Sequence, residues 1–388
     1  MLELNRKALE EKLQPLCDFA IRDNKCFGLI FRLLQHGEVK AEVSAGIEDP
    51  DTQKPVTGDT MFRLASMTKP VTAAAVLSAY DKGLLDLHDP VSKYLPAFSE
   101  LHLVEKVTSP DGKEKFVKGP KCTKPLKIYH LITHTNGVGA GEFGYVAQWE
   151  IPGKYRKSLV AVAEYIPENF PLDFEPGQRL SYSTTLGGDI AGRIIELVSG
   201  KEFGEYIRDN IFAPIGADDI TFEPTPEQRT RFMRMTNADA EGRFYADDSF
   251  GESTFETLPL SYHSGGASLA GTLNSYTRFA EMLRRDGELD GVRVLSAPSA
   301  RLLHMPWIAP GTEWAGENET WGLMVRIING PHPYLPVGVY GWSGAYGTYF
   351  WVDPVNDISG ILMRNSRVDG CQDSSVALSL EKAIYTAE

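Results

Sequence analysis

Ser66 and Lys69 stand three residues apart in the stretch Phe62-Arg63-Leu64-Ala65-Ser66-Met67-Thr68-Lys69-Pro70, and that pairing has a chemical use. A serine hydroxyl is a weak nucleophile until a neighbouring group takes its proton. A lysine one turn along a helix shares the serine's face and can take the proton once burial lowers its pKa. Residues 71–77 read Val-Thr-Ala-Ala-Ala-Val-Leu, almost without charge until Asp81-Lys82, and Gly83 is a stop signal. The pattern predicts a helix buried on nearly all sides, with Ser66 as its N-cap and Pro70 in or just after the first turn. Free amides at such a helix mouth suit an oxyanion. Ser379-Leu380-Glu381-Lys382 repeats the spacing, but inside a terminal helix expected over 374–385 and with no buried mouth around it. A chain of ordinary composition produces such matches by chance.

Three further stretches hold groups that could complete a site. Glu175-Pro176-Gly177-Gln178-Arg179-Leu180-Ser181-Tyr182-Ser183-Thr184 sets a tyrosine just ahead of a helix. A phenol hydrogen-bonded to a lysine can relay a serine proton and pass it to a leaving group. Gly341-Trp342-Ser343-Gly344-Ala345-Tyr346-Gly347 is a strand end whose small residues allow a close backbone approach, and a strand N–H can be half of an oxyanion hole. Tyr262-His263-Ser264-Gly265-Gly266-Ala267-Ser268 places a histidine among small residues, where it suits a pocket wall. His130 and His134, on a short helix, read as structural hydrogen-bonders. Neither histidines nor carboxylates show a metal-ligand spacing, so no metal and no cofactor is expected.

The elements that must position these groups follow from periodicity. Strands are expected over 26–34 and 39–45 as a hairpin, and near the end over 322–328, 337–341, 347–352 and 358–363. Helical periodicity marks residues 1–22, 157–165, 184–198, 203–212 and 272–285, and residues 138–156 read as an aromatic loop. Strands at both ends with helices between predict an α+β fold. Its antiparallel sheet is assembled from the two ends, flanked by N- and C-terminal helices, with an all-helical domain inserted. The boundaries expected are 1–65 with 310–388 for the sheet domain and 66–309 for the mostly helical one.

Composition narrows the function. A net charge of −13 without a Lys/Arg-rich run argues against nucleic acid or an anionic membrane as partner. Cys17, Cys26, Cys122 and Cys371 are scattered without CxxC or zinc spacing and read as unpaired, cytosolic-type thiols. The first 22 residues are amphipathic and charged, unlike a signal peptide, and no apolar run approaches a membrane span. A cytoplasmic location is expected.

Taken in order, Ser66-Met67-Thr68-Lys69, Leu131-Ile132-Thr133-His134-Thr135-Asn136-Gly137, Pro176-Gly177 through Tyr182-Ser183, Gly265-Gly266-Ala267 and Trp342-Ser343-Gly344 resemble the landmarks of the class C β-lactamase-like serine hydrolases. The resemblance covers roughly residues 10 to 385. It implies Ser66 as acylated nucleophile, Lys69 as its proton partner and Tyr182 as the general base that later protonates the leaving group. It further implies an oxyanion hole made by the amides of Ser66 and Ala345. Which of Lys69 and Tyr182 holds the proton belongs to the coupled pair.

Two departures separate this chain from the penicillin-recognising members. Trp342-Ser343-Gly344 stands where they carry Lys-Thr-Gly, and Tyr182-Ser183-Thr184 where they carry Tyr-x-Asn. Both changes resemble the family VIII carboxylesterases. A small carboxylic ester is the expected substrate, with Trp342, Ser343, Gly344, Tyr346, Tyr262, His263, Phe143, Tyr145 and Trp149 expected along the pocket. β-Lactamase, D,D-peptidase or amidase activity and small-molecule acyl transfer are the alternatives on the same site. A non-catalytic binding protein of the same fold is the alternative outside enzymes.

Overall fold

The computed structural model describes residues 2–247, 262–309, 312–313 and 316–386. Its frame is a seven-stranded antiparallel sheet in the order Glu319–Trp321, Arg326–Ile328, Tyr340–Ser343, Tyr349–Asp353, Ile358–Arg364, Gly28–Gln35, Glu38–Gly46. The two ends of the chain meet in its middle, where Leu29 pairs with Arg364 and Gln35 with Ile358. Strand 28–35 is apolar on both faces because both are covered. Leu29, Phe31 and Leu33 pack under Leu9, Leu13 and Cys17 of the first helix, Arg6–Arg22, and Leu380 of the last helix, Ser375–Tyr385. Ile30 and Leu34 face the larger core, which contains Tyr276 and Phe279 of the helix Leu273–Arg284. The fold is that of an α+β protein with terminal helices on one face of the sheet.

The helix expected after Ser66 runs Thr68–Asp81, and every residue from Thr68 to Ala79 is buried. Pro70 falls in its first turn, where an amide has no acceptor to lose. Ser66 is not its N-cap. A 3₁₀ turn, Ala65–Met67, precedes the helix, and the cap position is Met67 with no side-chain cap bond. The serine hydroxyl is therefore left for other partners.

A small sheet aims this turn. Strand Met61–Arg63 pairs with Ala270–Thr272, which pairs in turn with Ile220–Thr221. The turn after residue 63 and the turn before residue 270 therefore lie side by side, bringing Gly265-Gly266 to helix 68–81.

Helices Leu159–Asn169 and Leu186–Ser199 stand where periodicity places them. Residues 138–156 are more ordered than a loop. They contain the helix Gly141–Ala147 and a 3₁₀ turn, Gln148–Glu150. Phe143 and Gly144 N–H donate to the Asp173 carboxylate (both 2.8 Å), which supplies the first-turn acceptor that the local sequence lacks. The stretch expected as one strand over 322–328 is two, because 319–321 and 326–328 pair with each other as a hairpin. All four cysteines are free thiols, and no helix among the described residues is long and apolar enough to cross a membrane.

Candidate active site

Ser66, Lys69 and Tyr182 converge at the mouth of helix 68–81. Ala65, just ahead of Ser66, takes a left-handed backbone, φ 45°. That conformation costs a residue with a Cβ about 1–2 kcal/mol. Surrounding bonds hold it: Leu64 N–H donates to Leu269 C=O (3.0 Å), and the Thr348 hydroxyl donates to Leu64 C=O (3.2 Å). The small side chain packs under Met235 and Tyr346.

Tyr182 owes its position to the segment around His134. Ser181 N–H donates to His134 C=O (2.9 Å), Ser183 N–H donates to His134 Nδ1 (3.1 Å), and Gly141 N–H donates to Ser181 Oγ (3.1 Å). The His134 ring lies 4.7 Å from the Tyr182 ring, with Trp321 against both. His134 is completely buried and, through that burial and the nearby Lys69, titrates well below an ordinary histidine. It is therefore a neutral clamp, consistent with the structural part expected of it. Trp321 carried no sequence signal beyond being a tryptophan. The Thr184 and Gly266 carbonyls carried none, because every residue has one.

At the centre, the Tyr182 hydroxyl donates to Ser66 Oγ (2.7 Å), and Lys69 Nζ lies 3.1 Å from the same oxygen. Nζ also donates to Thr184 C=O (2.5 Å) and Gly266 C=O (2.8 Å). Trp342 Nε1–H donates to the Tyr182 hydroxyl oxygen (3.2 Å). Ser66 is 8% exposed, Tyr182 half-buried and Lys69 fully buried, so the lysine is the member shut off from the outside. Burial lowers the Lys69 pKa to about 7, against a smaller upward pull from Asp189. Burial pushes Tyr182 well above the usual phenol range, only partly offset by its bonds to Ser66 and Trp342.

These partners fix an orientation. A neutral amine has two N–H groups and one lone pair. As an ammonium Lys69 can donate to Thr184, Gly266 and Ser66 Oγ together; as a neutral amine with both N–H groups on the two carbonyls, its lone pair would face Ser66 Oγ. The tyrosine, with its proton on, donates to the same oxygen from another side.

The other expected site residues separate into two groups. Strand 340–343 ends directly on the nucleophile turn: a Cβ at Gly344 would lie 2.2 Å from Leu64 O. Ala345 follows in an exposed turn, and among the described residues its amide makes no hydrogen bond. Ser343 Oγ donates to the Gln372 side chain, and Tyr346 is buried against Ala65. Gln372 had drawn no attention in the sequence.

The second group turns to other partners. Tyr262 donates to Asp189 (2.6 Å) and is buried. His263 pairs with Glu223 (2.7 Å) and lines a cavity of about 410 Å³ with Gly204 and Phe222, and Ser66, Lys69, Tyr182 and Trp342 are not among its lining residues. Phe143 packs between Phe116 and Phe170. Tyr145 and Trp149 are 56% and 42% exposed on the short helix and 3₁₀ turn of 141–150.

The sequence and the fold have counterparts among known proteins. Residues 7–379 match the Beta-lactamase family. The chain belongs to that family. It is 27% identical over 397 residues to an uncharacterised protein of Mycobacterium tuberculosis, covering 96% of this chain and 92% of that one. Identity to the esterase EstB of Burkholderia gladioli is 26% over 412 residues, covering 98% and 96%. Among solved structures, EstCE1, a hydrolase with promiscuous acyltransferase activity, superposes with a TM-score of 0.79 at 23% identity over 98% of this chain and 99% of that one. This family member is thus a β-lactamase-fold serine hydrolase with esterase and acyltransferase relatives.

Proposed function

We propose that the protein is a carboxylesterase that hydrolyses small neutral esters through an acyl-enzyme on Ser66. The observation that carries this is the buried lysine held by the Thr184 and Gly266 carbonyls with its Nζ 3.1 Å from Ser66 Oγ. Lys69 takes the Ser66 proton as Oγ attacks the ester carbonyl. The amides of Ser66 and Ala345 receive the oxyanion, and Tyr182 gives its proton to the departing alkoxide. The proton held by Lys69 then returns to the neighbouring Tyr182 phenolate, whose ring lies 4.7 Å from Nζ, so that acylation ends with a neutral amine and an intact phenol. Water enters by the same route in reverse and releases the acid. In this reading the base role that the family resemblance gives Tyr182 passes to Lys69, because burial keeps the phenol protonated while bringing the amine near neutrality.

The pH profile follows. Lys69 is competent only as the free amine, so kcat/KM for p-nitrophenyl butyrate should fall roughly tenfold per unit below a limb near pH 7. It should stay level above that limb to about pH 9, because the phenol does not ionise there. A stopped-flow profile from pH 5 to 9 checks both limbs. An alkaline fall instead of a plateau would return the base role to Tyr182.

Trp342 supports the choice of a neutral ester. A penicillin or a D-alanyl peptide carries a carboxylate, and an indole offers one N–H but no cation. That N–H is already given to Tyr182. A charge-assisted hydrogen bond contributes about 1.5–3 kcal/mol, so its absence costs an anionic substrate roughly ten- to a hundredfold in kcat/KM. Neutral esters lose nothing. With one enzyme preparation, p-nitrophenyl butyrate should exceed nitrocefin and benzylpenicillin in kcat/KM by at least that factor. A β-lactam turned over as efficiently as the ester would put β-lactamase first. The relative named as an esterase supports the same substrate class.

A further inference from the structure

Asp189 is a buried carboxylate, 1% exposed, that the proposed reaction does not use. It sits in the run Leu186-Gly187-Gly188-Asp189-Ile190-Ala191 of helix 186–199, among residues that are otherwise apolar. Taking a carboxylate out of water costs several kcal/mol unless its oxygens find donors. Both do. The Tyr262 hydroxyl donates to Oδ2 and the Ser264 hydroxyl to Oδ1, each at 2.6 Å.

Ser264 carries the connection onward. Gly266 N–H donates to Ser264 Oγ (3.3 Å), and Gly266 C=O is one of the two carbonyls on Lys69 (2.8 Å). The other, Thr184 C=O, lies on the chain entering the helix that bears Asp189. The two segments meet glycine on glycine. A Cβ at Gly188 would lie 2.7 Å from Gly265 O, and one at Gly265 would lie 2.3 Å from Gly188 O. The Thr72 hydroxyl, one turn beyond Lys69, donates to Gly265 C=O (2.7 Å). Asp189 therefore ties together the two strands of chain that grip the lysine.

We propose that Asp189 is a positioning residue for Lys69, acting through the Ser264–Gly266 strap that presents one of the lysine's two carbonyls and through its own negative charge behind that strap. The proposal rests on reading Lys69 as the base for Ser66. The ionisable groups that face Lys69 are Tyr182, whose ring lies 4.7 Å from Nζ, His134, which burial keeps neutral, and Asp189. Burial pushes the Asp189 carboxyl above the usual range, and the Ser264 and Tyr262 hydroxyls, Lys69 and Arg156, which face it, pull it back toward the charged form. A negative charge near an amine favours its ammonium form. Removing that charge while keeping the shape makes the lysine lose its proton at lower pH.

The test reads Ser66 directly, as the second-order rate of inactivation by a fluorophosphonate from pH 5 to 9. Wild type should show an acid limb near 7. In Asp189→Asn the limb should move at least about 0.5 unit to lower pH. In Ser264→Ala, which keeps the charge and cuts the strap, the limb should stay in place while the plateau falls at least about fivefold. A merely structural aspartate would lower the Asp189→Asn plateau and leave its limb on that of wild type, and that result overturns the proposal. If Asp189→Asn does not fold by circular dichroism, Ser264→Ala carries the test, and an unchanged plateau overturns it. Wild type that is not labelled at Ser66 would sink the underlying reading of Lys69 and Ser66 instead.

Discussion

Ser66→Ala should lower p-nitrophenyl butyrate hydrolysis by at least about a thousandfold and abolish fluorophosphonate labelling. The alanine removes the hydroxyl that lies between Lys69 Nζ and the Tyr182 hydroxyl, while Lys69 and Tyr182 keep their other partners. Lys69 retains Thr184 and Gly266, and Tyr182 retains Trp342. The fold should therefore survive, which circular dichroism can check. Ser379→Ala is the control. Its hydroxyl donates to the Ser375 carbonyl (2.7 Å) on the exposed face of the last helix, and activity should not change. Equal losses in the two variants would remove Ser66 from the reaction.

The second large effect is a failure of additivity. Lys69→Ala removes the acceptor of the serine proton, and Tyr182→Phe removes the donor to the leaving group. Each alone should cost about a hundred- to a thousandfold in kcat. The two flank one oxygen, at 3.1 and 2.7 Å from it, and the proton that Lys69 takes from Ser66 is the one that later restores the phenol. With either gone the relay is already broken, so the double variant should be no more than about tenfold worse than the poorer single one. Losses that multiply in full would show two groups acting independently. Tyr182→Phe also frees the Trp342 N–H, so KM for neutral esters should move little while kcat falls.

Of the three groups that meet at Ser66 Oγ, Ser66 and Lys69 were legible by their spacing at the head of an apolar run. The Pro-Gly turn before a helix marked Tyr182 only as a candidate, and the part expected of it came from the family resemblance. The sheet was legible because its strands are short, apolar and bounded by turn residues. What stayed hidden depends on chain segments far apart in sequence. The two lysine-holding carbonyls belong to Thr184 and Gly266, and no side-chain pattern marks a backbone acceptor. Asp189 left a faint trace as a single charge in an apolar helix, but its partners Tyr262 and Ser264 lie more than seventy residues away.

Tyr262 and His263 were read as pocket wall, and His263 does line a cavity, but one whose lining does not include Ser66. Both side chains are buried and take hydrogen-bond partners, Asp189 and Glu223, as buried hydroxyls and imidazoles do. The short helix at 141–147 escaped because its first-turn amides are satisfied by Asp173, a residue outside the segment. Ser66 itself looked like a helix cap, and the 3₁₀ turn ahead of the helix was what released its hydroxyl for chemistry.

The central claim, an acyl group carried on Ser66, can be read directly. Tyr182→Phe is mixed with p-nitrophenyl butyrate, quenched in acid within milliseconds to seconds, and digested for mass spectrometry. A butyryl adduct on the peptide that contains Ser66, rising and then decaying as ester is consumed, is the result expected. Steady turnover by wild type with no adduct at any time, or an adduct confined to a peptide without Ser66, would contradict it.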